Sequence, residues 1–193
     1  MTLIDATVVP SKVEITPEEL LALPDAVNYE LVDGQLVERK MGFESSEIAL
    51  KIAILLGTFL RGKHLGRLAG ADASYRCFPD DLQKVRKPDV SFIRSGRLAN
   101  DLSPQGHCPI PPDLAVEVIS PKDLADDIDE KIVEYLRVGV PLIWIVSPTA
   151  RNVRVLRSAS QGGGVILTAA DTIAGEDINP GFSCTVSEFF TEL

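Results

Sequence analysis

Histidine and cysteine are scarce in this chain, and their scarcity argues against several metal and redox chemistries. Two histidines and three cysteines occur in 193 residues. Cys77, Cys108 and Cys184 stand far apart with no CxxC spacing. That speaks against a zinc site and a disulfide framework, and suits a reducing cytoplasm. Long hydrophobic runs are missing too. The longest, Ile48–Leu60, is interrupted by Lys51 and falls short of the roughly 20 apolar residues of a membrane span. The opening Met1-Thr2-Leu3-Ile4-Asp5 has no basic segment leading into an apolar one, so no secretory signal is expected. Positive charge is in deficit: 19 Lys and Arg stand against 28 Asp and Glu, a net −9. A protein that binds nucleic acid by neutralising phosphates gains from the opposite balance. Any basic surface must then be local, with Arg61, Lys63, His64 and Arg67 as one group and Lys84, Arg86 and Lys87 as another.

What is present fits one folded domain. At 45% hydrophobic and 24% charged, the composition is that of a soluble globular protein large enough for a single core. Residues 1–13 read as a flexible arm and residues 14–193 as one domain. Thr16-Pro17-Glu18-Glu19 has the form of a capping box with Pro at the first helical position, predicting a short helix to Leu23. Asp33-Gly34 between Asn28–Val32 and Gln35–Arg39 predicts a β-hairpin. Ser45-Ser46 reads as the cap of a helix to Arg61, closed by Gly62, with Glu47 in its first turn and Ile48, Ile52, Leu55, Leu56, Phe59 and Leu60 at helical spacing.

Further along, strands are expected at Ser74–Phe78, Pro88–Ile93, Leu114–Ile119 and Leu142–Val146. A Pro-rich loop separates the middle two, and a helix is expected over Lys122–Val138. Short strands follow at Asn152–Leu156, Gly164–Thr168 and Thr172–Ala174, with a turn at Gly162-Gly163-Gly164 and a helical turn near Val186–Phe190. This order gives an α/β fold with a mixed central sheet flanked by helices, an N-terminal hairpin and extra C-terminal strands.

Two apolar strands each carry one acid: Asp89 opens Val90-Ser91-Phe92-Ile93, and Glu117 lies inside Leu114-Ala115-Val116-Glu117-Val118-Ile119. A carboxylate in such surroundings is costly to bury as an ion unless a cation sits on it. A divalent metal is one answer; an ion pair between Glu117 and Lys131, or an Arg, is the other. The plainer readings stay open at this stage. Asp89 suits a strand-start turn, and Asp127, Lys131 and Tyr135 at spacing four suit a solvated helix face. Glu47 suits a helix N-terminus, Glu30 an outward strand position opposite Arg39, His64 and His107 the surface, and Trp144 the core.

As an ordered set, several motifs carry a resemblance. They are Tyr29-Glu30-Leu31-Val32-Asp33-Gly34, Lys87-Pro88-Asp89-Val90, Glu117-Val118-Ile119-Ser120-Pro121, the Asp127, Lys131, Tyr135 series, Gly139-Val140-Pro141 with Trp144-Ile145-Val146, and Pro180-Gly181-Phe182. From about residue 14 to 191 the chain resembles the Uma2 family of "putative restriction endonucleases", a branch of the PD-(D/E)xK nuclease superfamily. The resemblance implies a restriction-endonuclease-like core and Mg²⁺-dependent (or Mn²⁺-dependent) hydrolysis of DNA, by a chain that forms a homodimer. It implies Asp89 and Glu117 as metal ligands, with the Val118 backbone carbonyl as a further one. The lysine expected two residues after Glu117 is Ile119 here. Lys131 on the following helix is the expected substitute and Lys122 its rival. Glu47, Glu30 and Asp127 are the assisting acids. The missing lysine and the acidic charge also admit a catalytically silent protein that uses this fold for binding or assembly, and hydrolysis of another phosphoester is a third possibility.

Overall fold

The computed structural model describes residues 14–40, 42–158 and 164–191. The expected arm at 1–13 and the turn residues Gly162 and Gly163 lie outside them. Helix α1 (Pro17–Ala22) begins with the reciprocal capping box: Thr16 Oγ1 accepts the Glu19 N–H, and Glu19 Oε2 accepts the Thr16 N–H at 2.8 Å. Strands β1 (Tyr29–Val32) and β2 (Gln35–Glu38) pair antiparallel. Asp33 and Gly34 both adopt positive φ, the backbone that a two-residue turn between right-twisted strands needs.

Helix α2 (Phe43–Leu60) starts at least three residues earlier than the Ser45-Ser46 signal suggests. Gly42 is the cap, and Ser45 reaches back from inside the first turn to accept the Gly42 N–H at 2.9 Å. The first-turn acid is therefore Glu44, and Glu47 lies in the second turn.

Among the described residues, six strands form the main sheet in the order β3-β4-β5-β6-β7-β8. They are β3 (Gly66–Gly70), β4 (Val90–Arg94), β5 (Leu114–Val118), β6 (Leu142–Ser147), β7 (Asn152–Arg157) and β8 (Gly164–Thr168). Only β5 and β6 run parallel; they are joined by helix α3 (Ala125–Arg137). The sheet is mixed and covered on both faces, which explains why β5 and β6 read as near-continuous apolar runs. On one face, Ile48, Ile52 and Leu56 of α2 pack with Phe92, Leu114, Val116 and Trp144. A small hairpin of β9 (Thr172–Ala174) and β10 (Ser183–Thr185) adds Phe182, and a 3-10 turn (Val186–Phe189) adds Phe189; both rings lie 6.1 Å from Trp144. On the other face, Ile128, Ile132 and Tyr135 of α3 pack on Ala115, Ile143 and Ile145.

Three sequence expectations shift. The strand at Ser74–Phe78 reduces to isolated bridges from Tyr75 to Arg86 and to Cys108. Helix α3 starts at Ala125 rather than Lys122 because Ser120–Asp123 forms a turn, closed by the Ser120 N–H to Asp123 Oδ2 bond at 2.7 Å. Strand β3 has no counterpart in the sequence reading, since Gly66, Ala69 and Gly70 give it little strand propensity. A Cβ at Gly66 would strike the Ile93 carbonyl oxygen and the Phe92 ring, so the register of β3 on β4 requires glycine there. Gly66→Ala is expected to cost about 1–3 kcal/mol in urea unfolding at neutral pH, with the edge strand β3 losing amide-exchange protection first.

Candidate active site

Register brings the two acids together. Val90 pairs with Val116 across β4 and β5, so one step outward sets Asp89 opposite Glu117. Residues directly opposite one another share a face of the sheet. That face is the one under α3, because Ala115, two residues before Glu117, packs there. The Asp89 N–H bonds to the Val116 carbonyl at 2.9 Å, and Asp89 Oδ2 accepts the Val118 N–H at 2.8 Å. The Asp89 side chain thus takes up a β5 donor next to Pro88, where the ladder ends.

Helix α3 supplies the next two groups one turn apart. Lys131 Nζ lies 3.3 Å from Glu117 Oε2 and 3.2 Å from Glu30 Oε1. The Tyr135 hydroxyl donates to Glu117 Oε1 at 2.7 Å. The hairpin supplies the rest: Arg39 Nη2 pairs with Asp89 Oδ1 at 3.0 Å. Glu30 also accepts the Lys87 N–H at 2.8 Å and pairs with Arg86 at 3.2 Å. Arg86 in turn bonds Glu134 at 2.6 Å.

Of these groups Glu30, Arg39, Arg86, Asp89, Glu117 and Lys131 border a cleft of about 140 cubic Å that also includes Val118, Ser120, Lys40 and Asp127. Of the residues proposed from sequence, Asp89, Glu117, Val118, Lys131, Glu30 and Asp127 meet here. Asp127 sits at the rim, where it pairs with Lys40 at 3.0 Å rather than with Lys131. Glu47 does not join them; it pairs with Lys51 on its own helix at 3.1 Å. Lys122 is exposed and lies outside the cleft lining, which leaves Lys131 as the lysine in contact with Glu117.

Other sequence readings change as well. Glu30 is buried rather than outward, and its cross-strand partner is Val37, not Arg39. Lys84, Arg86 and Lys87 are not a surface patch: Arg86 and Lys87 are buried, and Lys84 is paired with Glu134. His107 is half-buried between Ser74 Oγ and the Pro17 carbonyl. Arg39, Arg86, Glu134 and Tyr135 carry the site's electrostatics without having been singled out for it in the sequence.

Burial pushes the Glu117 carboxyl up to about 7; Lys131 opposes the shift, while Asp89 and Glu30 reinforce it. Asp89 is raised by burial, only partly offset by the Val118 N–H and Arg39. For Glu30 burial acts upward too, but Lys131, Arg86 and the Lys87 N–H outweigh it and hold it below its ordinary value. Burial also disfavours the Lys131 ammonium, yet the carboxylates of Glu117, Glu30 and Asp89 outweigh that and keep it charged. Seven acidic side chains and four basic ones border the cleft, a surplus that suits a hard divalent cation and its oxygen ligands. Among the described residues no three His, Cys, Asp or Glu side chains form a closed metal cage. The open two-carboxylate arrangement is the kind in which Mg²⁺ keeps several waters.

The model of a protein family, Uma2, described as "putative restriction endonuclease", matches residues 17–187. The chain belongs to the Uma2 family. Among solved structures it is similar to one described as "a putative nuclease belonging to DUF820" from Anabaena variabilis. The two share 18% identity at a TM-score of 0.74, over 91% of this chain and 97% of that one. At that identity the likeness establishes a shared fold. Among curated proteins none matches the chain.

The position of Glu117 in this Uma2 chain sets a pH dependence. Its folded value near 7 lies above the ordinary 4.5. Between those values the folded chain holds a proton that the unfolded chain has lost, so rising pH weakens the fold. Glu30, shifted down, is ionised in both states across that window. His107, shifted down by burial, contributes the opposite slope near its ordinary 6.5. The difference between proteins isolates Glu117: the melting temperature of E117Q relative to the unaltered chain, both in EDTA, is expected to rise steadily from pH 5 to 7. A constant difference over that range would mean Glu117 titrates normally.

Proposed function

We propose that this chain is a Mg²⁺-dependent (or Mn²⁺-dependent) endonuclease that hydrolyses phosphodiester bonds in DNA. Asp89 and Glu117 hold the cation, the Val118 carbonyl is a further ligand, and Lys131 orients the attacking water. The observation that carries this reading is the convergence of Asp89 and Glu117 across β4 and β5 with the Lys131 ammonium 3.3 Å from Glu117. A bound divalent cation supplies neutralisation of the scissile phosphate and activation of water.

The chain's own residues supply the rest. Lys131, held charged, donates to a water or to a developing phosphate charge but does not take a proton from either. Glu30 keeps its ammonium aimed at Glu117 from the far side. The Tyr135 hydroxyl fixes one oxygen of Glu117 and leaves the other facing Lys131. Asp89 is held in one rotamer by the Val118 N–H, so both carboxylates are positioned before any ligand arrives. Asp127 at the rim is an assisting acid near the entrance rather than a ligand.

Family membership supports nucleic acid as the substrate class. Arg61, Lys63, His64 and Arg67 remain the exposed basic group available to a phosphate backbone. Cutting both strands of a duplex calls for two such sites, which we assign to a homodimer. The thiols of Cys77, Cys108 and Cys184 are unpaired, in keeping with a cytoplasmic protein.

One observation favours a second reading. Each carboxylate oxygen of Asp89 and Glu117 already has a protein partner, as in a self-neutralised ion network that only binds or assembles. Calorimetric titration with Mn²⁺ separates the two, because that network has no need of metal. On the nuclease reading the unaltered chain binds Mn²⁺, and D89N and E117Q each lose at least about a hundredfold in cleavage of plasmid DNA while keeping their circular dichroism. K131M is expected to retain metal binding and lose cleavage. A variant that still cuts at the unaltered rate removes its residue from the mechanism.

A further inference from the structure

Both carboxylate oxygens of Asp89 already have a partner. Its Oδ1 is paired at 3.0 Å with Arg39, and both side chains are less than a tenth exposed. Arg39 follows β2 and is tied to the hairpin by its own N–H, which bonds the Asn28 carbonyl at 2.8 Å. Its guanidinium also reaches the Lys87 carbonyl at 3.4 Å, next to the Pro88-Asp89 pair. It borders the same cleft as Glu117 and Lys131. A divalent cation that takes Asp89 therefore enters beside a fixed positive charge that repels it. The cation must share Asp89 with Arg39 or drive it off.

Arg39 differs in kind from the cations around it. Arg86 is locked between Glu30 and Glu134, and Lys131 between Glu30 and Glu117. Among the described residues Arg39 has a single carboxylate ion-pair partner, and that partner is the one a metal would claim. Its planar fork matches a phosphate as well as it matches a carboxylate. Lys40, the next residue, already points to the rim and pairs there with Asp127, so the chain at this point delivers cations both into and out of the cleft.

We propose that Arg39 is a resident counter-cation that a divalent metal displaces from Asp89, and that the freed guanidinium then binds the phosphate of the substrate. This rests on the nuclease reading of the cleft. Arg39 is a positioning residue in the metal-free chain and a substrate-binding one after exchange. The ordering follows from charge: metal enters first, and its entry creates the phosphate-binding group.

The test is Mn²⁺ titration calorimetry on the unaltered chain, R39Q, R39K and D89N, followed by steady-state cleavage of a DNA oligonucleotide at saturating Mn²⁺. Removing the competing charge is expected to tighten Mn²⁺ binding in R39Q by roughly fivefold or more, an effect that a purely structural role would not produce. R39K keeps the charge and is expected to stay within about twofold of the unaltered affinity. KM for DNA is expected to rise in both variants, with a salt dependence shallower by about one phosphate contact in R39Q, while kcat changes less.

Equal or weaker Mn²⁺ binding in a folded R39Q overturns the exchange and leaves the nuclease reading standing. If R39Q does not fold, R39K decides: an unaltered KM for DNA overturns the phosphate role. Absence of Mn²⁺ binding in both the unaltered chain and R39Q overturns the metal reading itself. Binding by R39Q but not by the unaltered chain means that Arg39 excludes the metal, and overturns its displacement.

Discussion

The structure turns on the Lys131 ammonium lying between two buried carboxylates, Glu117 on the central sheet and Glu30 on the hairpin. Each carboxylate removed from water costs several kcal/mol before compensation. Three of them, with Asp89, crowd one side of β4, β5 and the hairpin. Lys131, Arg86 and Arg39 answer them charge for charge, but not evenly. Glu30 has two cations and a backbone N–H, and stays below its ordinary pKa; Glu117 has one cation and a hydroxyl, and rises to about 7. The imbalance falls on the sheet, at the residue that faces Asp89. The place where neutralisation is incomplete is the place where an added cation gains most.

The same pairs hold the hairpin to the domain. Apolar contact there is modest: Leu20, Leu31 and Val85 form a small buried cluster, and Leu31 and Val85 share an isolated bridge. The Glu30 to Arg86 pair, the Glu30 bond to the Lys87 N–H and the Arg39 to Asp89 pair add polar contacts that tolerate no register slip. Fold and site are therefore one network, and a change at Glu30 or Arg86 acts on both. Partial removal is the dangerous case, because a lone charge left behind is worse than the intact set.

Much of this was legible in the sequence, and the rest was not for identifiable reasons. Asp33-Gly34 marked the hairpin through backbone conformation, a local property. Glu117 stood out because a charge inside an apolar strand has no inexpensive explanation. Lys131 followed only from the family resemblance, since helical spacing by itself suggested a solvated face for Asp127, Lys131 and Tyr135. Arg39, Arg86 and Glu134 left no comparable mark. Their partners lie 48 to 56 residues away in the chain, and polar residues at a strand end or on a charged helix read as solvated. The only signal was the density of Lys84, Arg86 and Lys87, which suggested a surface patch instead. Glu47 misled because Ser45 looks like a helix cap but bonds back to Gly42 from within the first turn.

The distribution of charge orders the encounter with a polyanion. The net −9 is close to the charge a duplex meets, because the buried acids Glu30, Asp89, Asp113, Glu117 and Glu134 are nearly balanced by buried Lys51, Arg86 and Lys87 and the mostly buried Lys131. Those cations act inside the molecule and are not presented to solvent. At the cleft itself carboxylates outnumber cations, so a phosphate approaching the metal-free site meets net repulsion within a Debye length of about 8 Å at physiological salt. A divalent cation removes that barrier by adding its own charge and, on the exchange proposed for Arg39, by turning an internal guanidinium outward. On the proposed nuclease reading, metal then governs access as well as chemistry, and an acidic protein becomes able to act on an acidic polymer only after the cation has bound.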